Sequence, residues 1–247
     1  MPATQKNRAI AITTSLGADA LLLKNFTLNE QLGRLFQIDV AVASEDPDVD
    51  FDALIGSNAS IRLALPSGET RFFNGIISRF VLEGNDGTYA TYRTTLVPWF
   101  WLLTRTADCR IFQNKKVPDI VEEVFKGHGF KDFKLKLTAS YRTWEYCVQY
   151  RETDFNFVSR LLEQEGIYYY FEHSNGVHLM VLVDSPGGHD EFPGYGTLTY
   201  RPRTQEQDEN SETVTDWVLE RGLQTGLWAM GDFDFKVPGS PILSLIH

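Results

Sequence analysis

The sequence has few cysteines and no long apolar run. Two cysteines, Cys109 and Cys147, are too few for a disulfide-stapled scaffold, and we expect both to be reduced residues of the core. No stretch reaches the roughly 20 apolar residues of a membrane-spanning helix. The N-terminus is polar, and its nearest apolar run, Ala20 to Leu23, is too short for a signal sequence. We therefore expect the protein to start in the cytoplasm without a cleaved signal peptide.

Basic residues are also scarce, with 23 Lys and Arg against 33 Asp and Glu, for a net charge of −10. This balance argues against nucleic-acid binding, which needs a basic surface to displace phosphate counterions. An acidic balance favours solubility and identifies no partner. Because 43% of the residues are apolar and 13% are aromatic, the chain can bury real cores and is not a disordered protein.

The common catalytic and ligand-binding motifs are missing. There is no Gly-x-Ser-x-Gly elbow, no His-Glu-x-x-His pair, and no phosphate loop after Gly187-Gly188. The residues His173, His178, Asp184 and His189 fall within 17 residues, but without the tight spacing of a metal site. We interpret these histidines as surface or edge-strand residues, and we expect neither a metal nor a cofactor.

Acidic and aromatic clusters have plainer explanations than catalysis. Glu163 and Glu165 could serve glycan hydrolysis as an acid/base pair, but two residues apart on a helix they do not face each other. Asp154 is better explained as a helix-start charge than as a general base. The aromatic runs Trp99 to Trp101 and Tyr168 to Phe171 indicate core, with a sugar or base platform and a subunit interface as alternatives. We therefore expect no enzyme.

The segment 146–173 carries the most consistent local signals. Thr153 is a good N-cap for a helix over 154–165, and Gly166 can adopt the left-handed conformation that ends it. The apolar face of this helix comprises Phe155, Val158, Leu161 and Leu162. The run Ile167 to Phe171 predicts a strand, and its lack of alternation indicates burial on both faces.

The flanking regions read mainly as β structure. Phe36 to Val42 alternates apolar and polar residues, and several such strands with tight turns indicate a barrel or sandwich, with a break in one strand at Gly75. A second helix begins near Pro118 and ends at Gly127 or Gly129. Further strands are expected near the end of the chain, at Trp217 to Leu219 and at 233–235.

Three runs give the chain a family resemblance. They are Arg105-Thr-Ala-Asp-Cys-Arg-Ile-Phe-Gln-Asn114 with Val117-Pro-Asp-Ile120, Tyr146-Cys-Val-Gln-Tyr-Arg-Glu-Thr-Asp-Phe155, and Leu182-Val-Asp-Ser-Pro-Gly187. In this order they resemble the VgrG family, the spike proteins of bacterial type VI secretion systems, over roughly residues 8 to 237. Three ordered runs are far more specific than one short motif.

The resemblance implies a fold like that of a phage tail baseplate hub. We therefore expect a mainly β chain with an α+β insertion. Residues 1–104 would form a first barrel, 105–174 a mixed α/β unit, and 175–247 the start of a second barrel. Family members continue for several hundred residues into a β-helical needle, so we expect this chain to be an N-terminal fragment.

The resemblance also implies a mechanical function. Family members form homotrimers that dock on the hexameric Hcp tube, carry a PAAR tip protein and effectors, and puncture target membranes without being inserted stably. Assembly would occur in the cytoplasm, before secretion through the type VI apparatus. A phage or phage-like tail hub is the alternative, and a cell-wall hydrolase is a further one.

Overall fold

A computed structural model describes residues 3–65, 67–190, 196–202, 204, 213–223, 225–232, 237–239 and 242–246. The chain separates into two compact units, residues 1–190 and residues 191–247. The predicted fold class is confirmed: the protein is mainly β, with two α-helices of eleven residues each inserted among the strands of the first unit. The predicted boundaries near residues 104 and 174 are not tested by this division and stay predictions.

The first unit begins with a six-stranded antiparallel sheet that curls into a nearly closed barrel. Its strands are β1 (Ile10–Thr13), β2 (Leu22–Asn29), β3 (Gln37–Ser44), β4 (Asn58–Ala64), β5 (Thr70–Asn85) and β6 (Ala90–Val97). The order β1-β4-β5-β6-β3-β2 leaves the first two strands of the chain at the two edges. The alternation predicted for β3 is confirmed, because Ile38, Val40 and Val42 are buried.

A buried side chain joins the two edge strands. Gln5 is 3% exposed, and its Nε2 donates to the carbonyl oxygens of Ile12 at 3.1 Å and Leu21 at 2.9 Å. Its Oε1 accepts from the backbone N–H groups of Ile12 at 3.0 Å and Leu23 at 2.9 Å. Gln5 thereby satisfies backbone N–H and C=O groups at the seam of the barrel, where β1 and β2 meet without forming a ladder of backbone hydrogen bonds.

Strand β5 continues through Gly75, so the predicted break there is wrong. A Cβ atom at this position would lie 3.0 Å from Cβ of Leu96 and 3.3 Å from Cε2 of Phe36. The glycine therefore permits close packing inside the barrel. The irregularities of β5 lie further along, between Ile77 and Arg79 and between Leu82 and Gly84.

A mixed α/β region follows the barrel. Its elements are a 3₁₀ helix (Trp99–Arg105), β7 (Ala107–Phe112), α1 (Val117–Gly127), β8 (Phe133–Lys136), β9 (Cys147–Thr153), α2 (Asp154–Gln164), β10 (Tyr168–Ser174), β11 (Val177–Val183) and a 3₁₀ turn (Pro186–Gly188). Strands β7 and β9 form an antiparallel ribbon, and β10, β11 and β8 form a three-stranded sheet with β11 in the centre. The predicted limits of α1 are confirmed.

Helix α2 has the predicted ends. Oγ1 of Thr153 accepts from the backbone N–H of Asn156 at 3.1 Å, and Gly166 has a φ of +69°. The predicted apolar face is confirmed except for its first member, since Phe155 is only partly buried. Phe157 is fully buried instead, because its ring stacks on Phe112 of the ribbon, with 5.5 Å between ring centroids.

Strand β10 does alternate, so the prediction of two buried faces is wrong. Tyr169 and Phe171 are buried, whereas Tyr168 and Tyr170 are half-buried. The reason is that one face of β10 packs on the apolar core, whereas Tyr168 and Tyr170 on the other face stack against the exposed His189.

One apolar core runs through the barrel and the α/β region. Phe36 of the barrel meets Phe171 of β10 edge to face, with centroids 4.9 Å apart. Phe100 meets Phe125 of α1 at 5.6 Å and Tyr169 at 5.3 Å. Aromatic pairs at these distances add to the stability that burial supplies. In the first unit, the α/β region is therefore fixed against the barrel.

The cysteines differ from each other. Cys147 is buried as predicted, but Cys109 is exposed. Cys109 lies at the irregularity between Asp108 and Arg110, in the exposed first half of β7. Both thiols are free. In the described part of the chain, no helix is long and apolar enough to cross a membrane.

The described residues of the second unit form two small sheets. Strands β12 (Thr199–Tyr200) and β13 (Thr213–Val214) pair in parallel, and β14 (Trp228–Asp232) and β15 (Ile242–Ile246) pair antiparallel. The strand predicted at Trp217 to Leu219 is wrong, because this segment is exposed and irregular. The strand predicted at 233–235 lies outside the described residues.

Candidate functional site

The residues considered as a metal cluster are spread over two places. His173 and His178 lie opposite each other on β10 and β11, with ring centroids 6.3 Å apart, whereas Asp184 and His189 follow the end of β11. Among the described residues, no three or more His, Cys, Asp or Glu side chains are grouped so that they could hold a metal ion. The surface assignment is wrong for His178, which is 3% exposed because its ring packs against the barrel, on Phe36 and Asn74.

His178 connects β11 to the barrel. Its Nδ1 lies 2.7 Å from Oδ1 of Asn74 in β5, and its Nε2 accepts from the backbone N–H of Trp99 at 2.8 Å. Since the amide oxygen only accepts, Nδ1 carries the proton and the ring is neutral. Burial, with a smaller contribution from His173, lowers the pKa of His178 to about 3. The neutral form is therefore retained at neutral pH.

Asn74 is fully buried and bonded on several sides. Its Nδ2 donates to the carbonyl oxygen of Ala59 at 3.1 Å and to Oγ of Ser60 at 2.9 Å, and its backbone N–H donates to Nδ1 of His173 at 3.1 Å. The same Oγ of Ser60 accepts from the backbone N–H of Gly176, in the turn between β10 and β11, at 2.9 Å. These bonds join the hairpin to two barrel strands.

Asp154 is the centre of a second buried network and is 2% exposed. Thr106 donates to its carboxylate at 2.6 Å and Gln149 at 2.8 Å, Nε2 of His128 lies at 2.8 Å, and Arg110 forms an ion pair with it. Burial raises the pKa of Asp154, but these partners outweigh burial and the pKa lies below its usual value. A carboxylate so occupied is suited to positioning rather than to proton abstraction.

Asp184 fixes a loop to the end of β11. Its carboxylate accepts from the backbone N–H and hydroxyl of Thr138, at 2.8 and 2.9 Å, from the N–H of Ala139 at 2.7 Å and from the hydroxyl of Tyr141 at 2.8 Å. Desolvation raises the pKa of Asp184, but these donors lower it far below its usual value. Asp184, which belongs to the run Leu182 to Gly187 of the family resemblance, therefore has a structural role.

The remaining candidate residues, aromatic and acidic, are either packed in the core or located at the surface. Trp99, Phe100 and Tyr169 are buried, as the core interpretation predicts. Glu165 is half-buried and accepts from Nε1 of Trp144 at 3.4 Å, whereas Glu163 is exposed.

The ribbon of β7 and β9 exposes large apolar side chains. Ile111, Tyr146 and Tyr150 are 59%, 53% and 64% exposed, and Ile111 lies opposite Val148 in the register. Among the described residues, neither edge of the ribbon pairs with a further strand. Exposed aromatic residues beside unpaired strand edges are typical of protein interfaces. We refer to Ile111, Tyr150, Tyr146 immediately before β9 and the half-buried Val148 as the exposed ribbon, and they form the candidate assembly surface.

Comparison with known proteins identifies the family. Residues 29–244 match the phage tail baseplate hub (GPD) family. The chain is 47% identical over 240 residues to the type VI secretion system spike protein VgrG1b of Pseudomonas aeruginosa, which covers 97% of this chain and 32% of that protein. The chain belongs to the VgrG family. It spans about a third of the length of the curated relatives VgrG1b, VgrG1c and VgrG1a.

Solved structures agree with this assignment. An Escherichia coli component of the type VI secretion system, similar to T4 bacteriophage tail proteins, aligns with a TM-score of 0.63 and 25% identity, over 87% of this chain and 56% of that one. A tail protein from Neisseria meningitidis aligns with a TM-score of 0.54 and 13% identity, over 92% and 60% of the two chains, which shows the shared fold alone. The hub-like fold expected from the family resemblance is thus confirmed.

Proposed function

We propose that this chain is the hub region of a type VI secretion spike, in which three copies form a ring that docks on the hexameric Hcp tube. The observation that supports it is a barrel and an α/β region built around one core, aligned over 87% of the chain with a type VI component. If residues 175–247 begin a second barrel related to the first, three chains present six similar units. A threefold spike would then match a sixfold tube.

The proposal also assigns a role to the parts of a spike outside the hub region. The longer spike carries a PAAR tip and effectors, and contraction of the apparatus drives it through target membranes. The protein assembles in the cytoplasm and leaves through the apparatus. The polar junction at Asn74 supports this role, since a hub that transmits force benefits from domains that do not rotate against each other.

Assembly can be tested on the purified full chain. Light scattering coupled to size-exclusion chromatography should give the mass of a trimer, and immobilised Hcp hexamer should retain the chain. A strictly monomeric species at high concentration that Hcp does not retain would contradict the proposal. An unrelated acidic protein of similar size is the control for charge-driven retention.

A role in a phage-like tail is the second candidate, because the family match is to a phage tail baseplate hub. The two roles differ in the tube that the hub binds. Retention by a phage tail tube protein, with no retention by Hcp, would favour the tail hub.

We propose that the chain acts mechanically and not as an enzyme. The relatives are named as spike proteins, which supports this role. Incubation with peptidoglycan or a model ester should release no product above background. Hydrolysis that a defined point substitution abolishes would overturn this part of the proposal.

A further inference from the structure

A groove of about 650 Å³ lies between the loop that connects β2 to β3 and helix α2. Its volume falls within the range of ordinary ligand sites. The loop is held in place by the backbone N–H of Gly33, which donates to the carbonyl oxygen of Tyr169 at 2.8 Å. Both walls therefore belong to well-anchored elements of the first unit.

The base of the groove is apolar. Leu162 and Ile167 are buried there, while Leu35 and Phe155 are partly buried. The half-buried state of Phe155, which differs from the prediction for α2, is explained by this groove. An apolar side chain of a ligand would be desolvated against these four residues.

Two donors lie in the groove without partners. Tyr169 is 4% exposed, and its hydroxyl makes no hydrogen bond with any described residue. Arg34, on the loop wall, makes no side-chain hydrogen bond or ion pair in the described part of the chain. Burial raises the pKa of Tyr169 although the charge of Arg34 opposes this, so the phenol stays protonated and can donate. A guanidinium and a phenol together match a carboxylate.

The helix wall carries acceptors. Glu163, Asn156 and Ser159 line it, and their side chains form no hydrogen bond or ion pair within the described residues. Among the described residues that line the groove, Glu163 is the one with a carboxylate, and it forms no ion pair with Arg34. Groups of this kind can accept hydrogen bonds from the backbone N–H groups of a peptide.

We propose that this groove binds a peptide segment of a partner protein in which a large apolar residue lies next to an acidic side chain. The apolar side chain enters the base, the carboxylate binds Arg34 and Tyr169, and the peptide N–H groups donate to the helix wall. A peptide supplies all three features together, and the unpaired guanidinium gives the charge complementarity that selects an acidic segment. The inference goes beyond the proposed function, because a monomeric chain would bind such a segment equally well.

The test uses three fluorescein-labelled hexapeptides and fluorescence anisotropy on the purified chain. One contains Leu-Phe-Asp with an amidated end, the second contains Leu-Phe-Asn with an amidated end, and the third ends in Leu-Phe with a free carboxylate. The aspartate peptide should bind at least about 10-fold more tightly than the asparagine peptide, and added salt should weaken it. Equal binding of these two, or binding of the free-terminus peptide alone, would overturn the proposal.

Matched variants locate the binding site. Tyr169→Phe removes only the hydroxyl and should weaken binding of the aspartate peptide by about 10-fold, whereas Tyr170→Phe, on the other face of β10, should not. Arg34→Gln should weaken it by a similar factor, with the exposed Arg71→Gln as its control. If Tyr169→Phe fails to fold, the Arg34 comparison still decides. Unchanged binding in Arg34→Gln would contradict the assignment.

Discussion

The imidazole of His178 and the side-chain amide of Asn74 are hydrogen-bonded at 2.7 Å, although 104 residues separate them in the chain. The bond links the central strand of the three-stranded sheet to the longest strand of the barrel. Both residues are buried, so water cannot replace either partner. The pair therefore fixes the α/β region against the barrel by a directional contact that apolar packing alone does not provide.

Replacing His178 by Phe should lower the free energy of unfolding by about 2–6 kcal/mol. The aromatic volume is retained, but the amide oxygen of Asn74 and the backbone N–H of Trp99 each lose a buried partner, at about 1–3 kcal/mol apiece. Urea unfolding measures the change. His189→Phe, at an exposed ring, is the matched control and should stay within about 0.5 kcal/mol. A loss no larger than that of the control would argue against the junction.

Acid should destabilise the protein through His178. Its pKa is about 6.5 in an unfolded chain and about 3 in the fold, so between these values the unfolded state binds the extra proton. The stabilisation that the neutral His178 gives is complete above pH 6.5. As pH falls toward 3, the free energy of unfolding decreases by up to roughly 4–5 kcal/mol. His178→Gln lacks the ionisation and should show a smaller fall in unfolding free energy over this range. Proton NMR should show that the His178 ring does not titrate between pH 5 and 8.

Removing the charge of Asp154 should also be costly. Asp154→Asn leaves the Arg110 guanidinium only the exposed carboxylate of Asp108, at 3.5 Å, and removing the buried partner of an ion pair typically costs about 3–5 kcal/mol. Asp119→Asn, at an exposed carboxylate in the first turn of α1, is the control. Thermal unfolding of the two variants compares them directly. Similar melting temperatures would mean that the network contributes no stability.

The role of Gln5 at the seam of the barrel can be tested by hydrogen exchange at individual amides. Gln5→Met keeps the length of the side chain but leaves the N–H groups of Ile12 and Leu23 without an acceptor, which should cost about 2–4 kcal/mol. Hydrogen exchange should show faster exchange at these two amides and little change in the centre of the sheet. Gln37→Met, at an exposed glutamine of β3, should leave all amides unaffected. Unchanged protection in the Gln5 variant would show that another group closes the seam.

The exposed ribbon should matter for assembly and not for folding. Tyr150→Ser removes a 64% exposed ring, so the free energy of unfolding should change by less than about 0.5 kcal/mol. The concentration needed for self-association, followed by light scattering, should rise if this surface forms the interface. Leu82→Ser, at a 49% exposed leucine of the barrel, is the control. Equal association of the two variants would place the interface elsewhere.

Several parts of the fold could be predicted because their causes are local. The hydroxyl of Thr153 caps a helix that starts one residue later, and the positive φ of Gly166 follows from the lack of a side chain. The alternation in β3 reports burial on one face of a strand.

Other predictions failed because their causes lie far away in the chain. In the sequence His178 resembles a surface histidine, and only the fold brings Asn74 of β5 against its ring. Phe157 lies outside the predicted apolar stripe, and only the fold stacks Phe112 on it. In the sequence Gly75 resembles a strand breaker, whereas in the fold it leaves the space that Leu96 of the neighbouring strand occupies. One signal was available: Asn74 is a polar residue within the apolar run 72–77 of a predicted strand, which indicates a buried polar contact.

The amino-acid sequence alone therefore determined the helix ends, the β-rich character and the VgrG family, because capping, periodicity and ordered motifs depend on neighbouring residues. The tertiary structure decided which polar residues are buried together, how the barrel seam is closed, and where a groove with unpaired donors remains. These features depend on pairings between residues up to about a hundred positions apart, and such pairings exist only after strands and helices have packed.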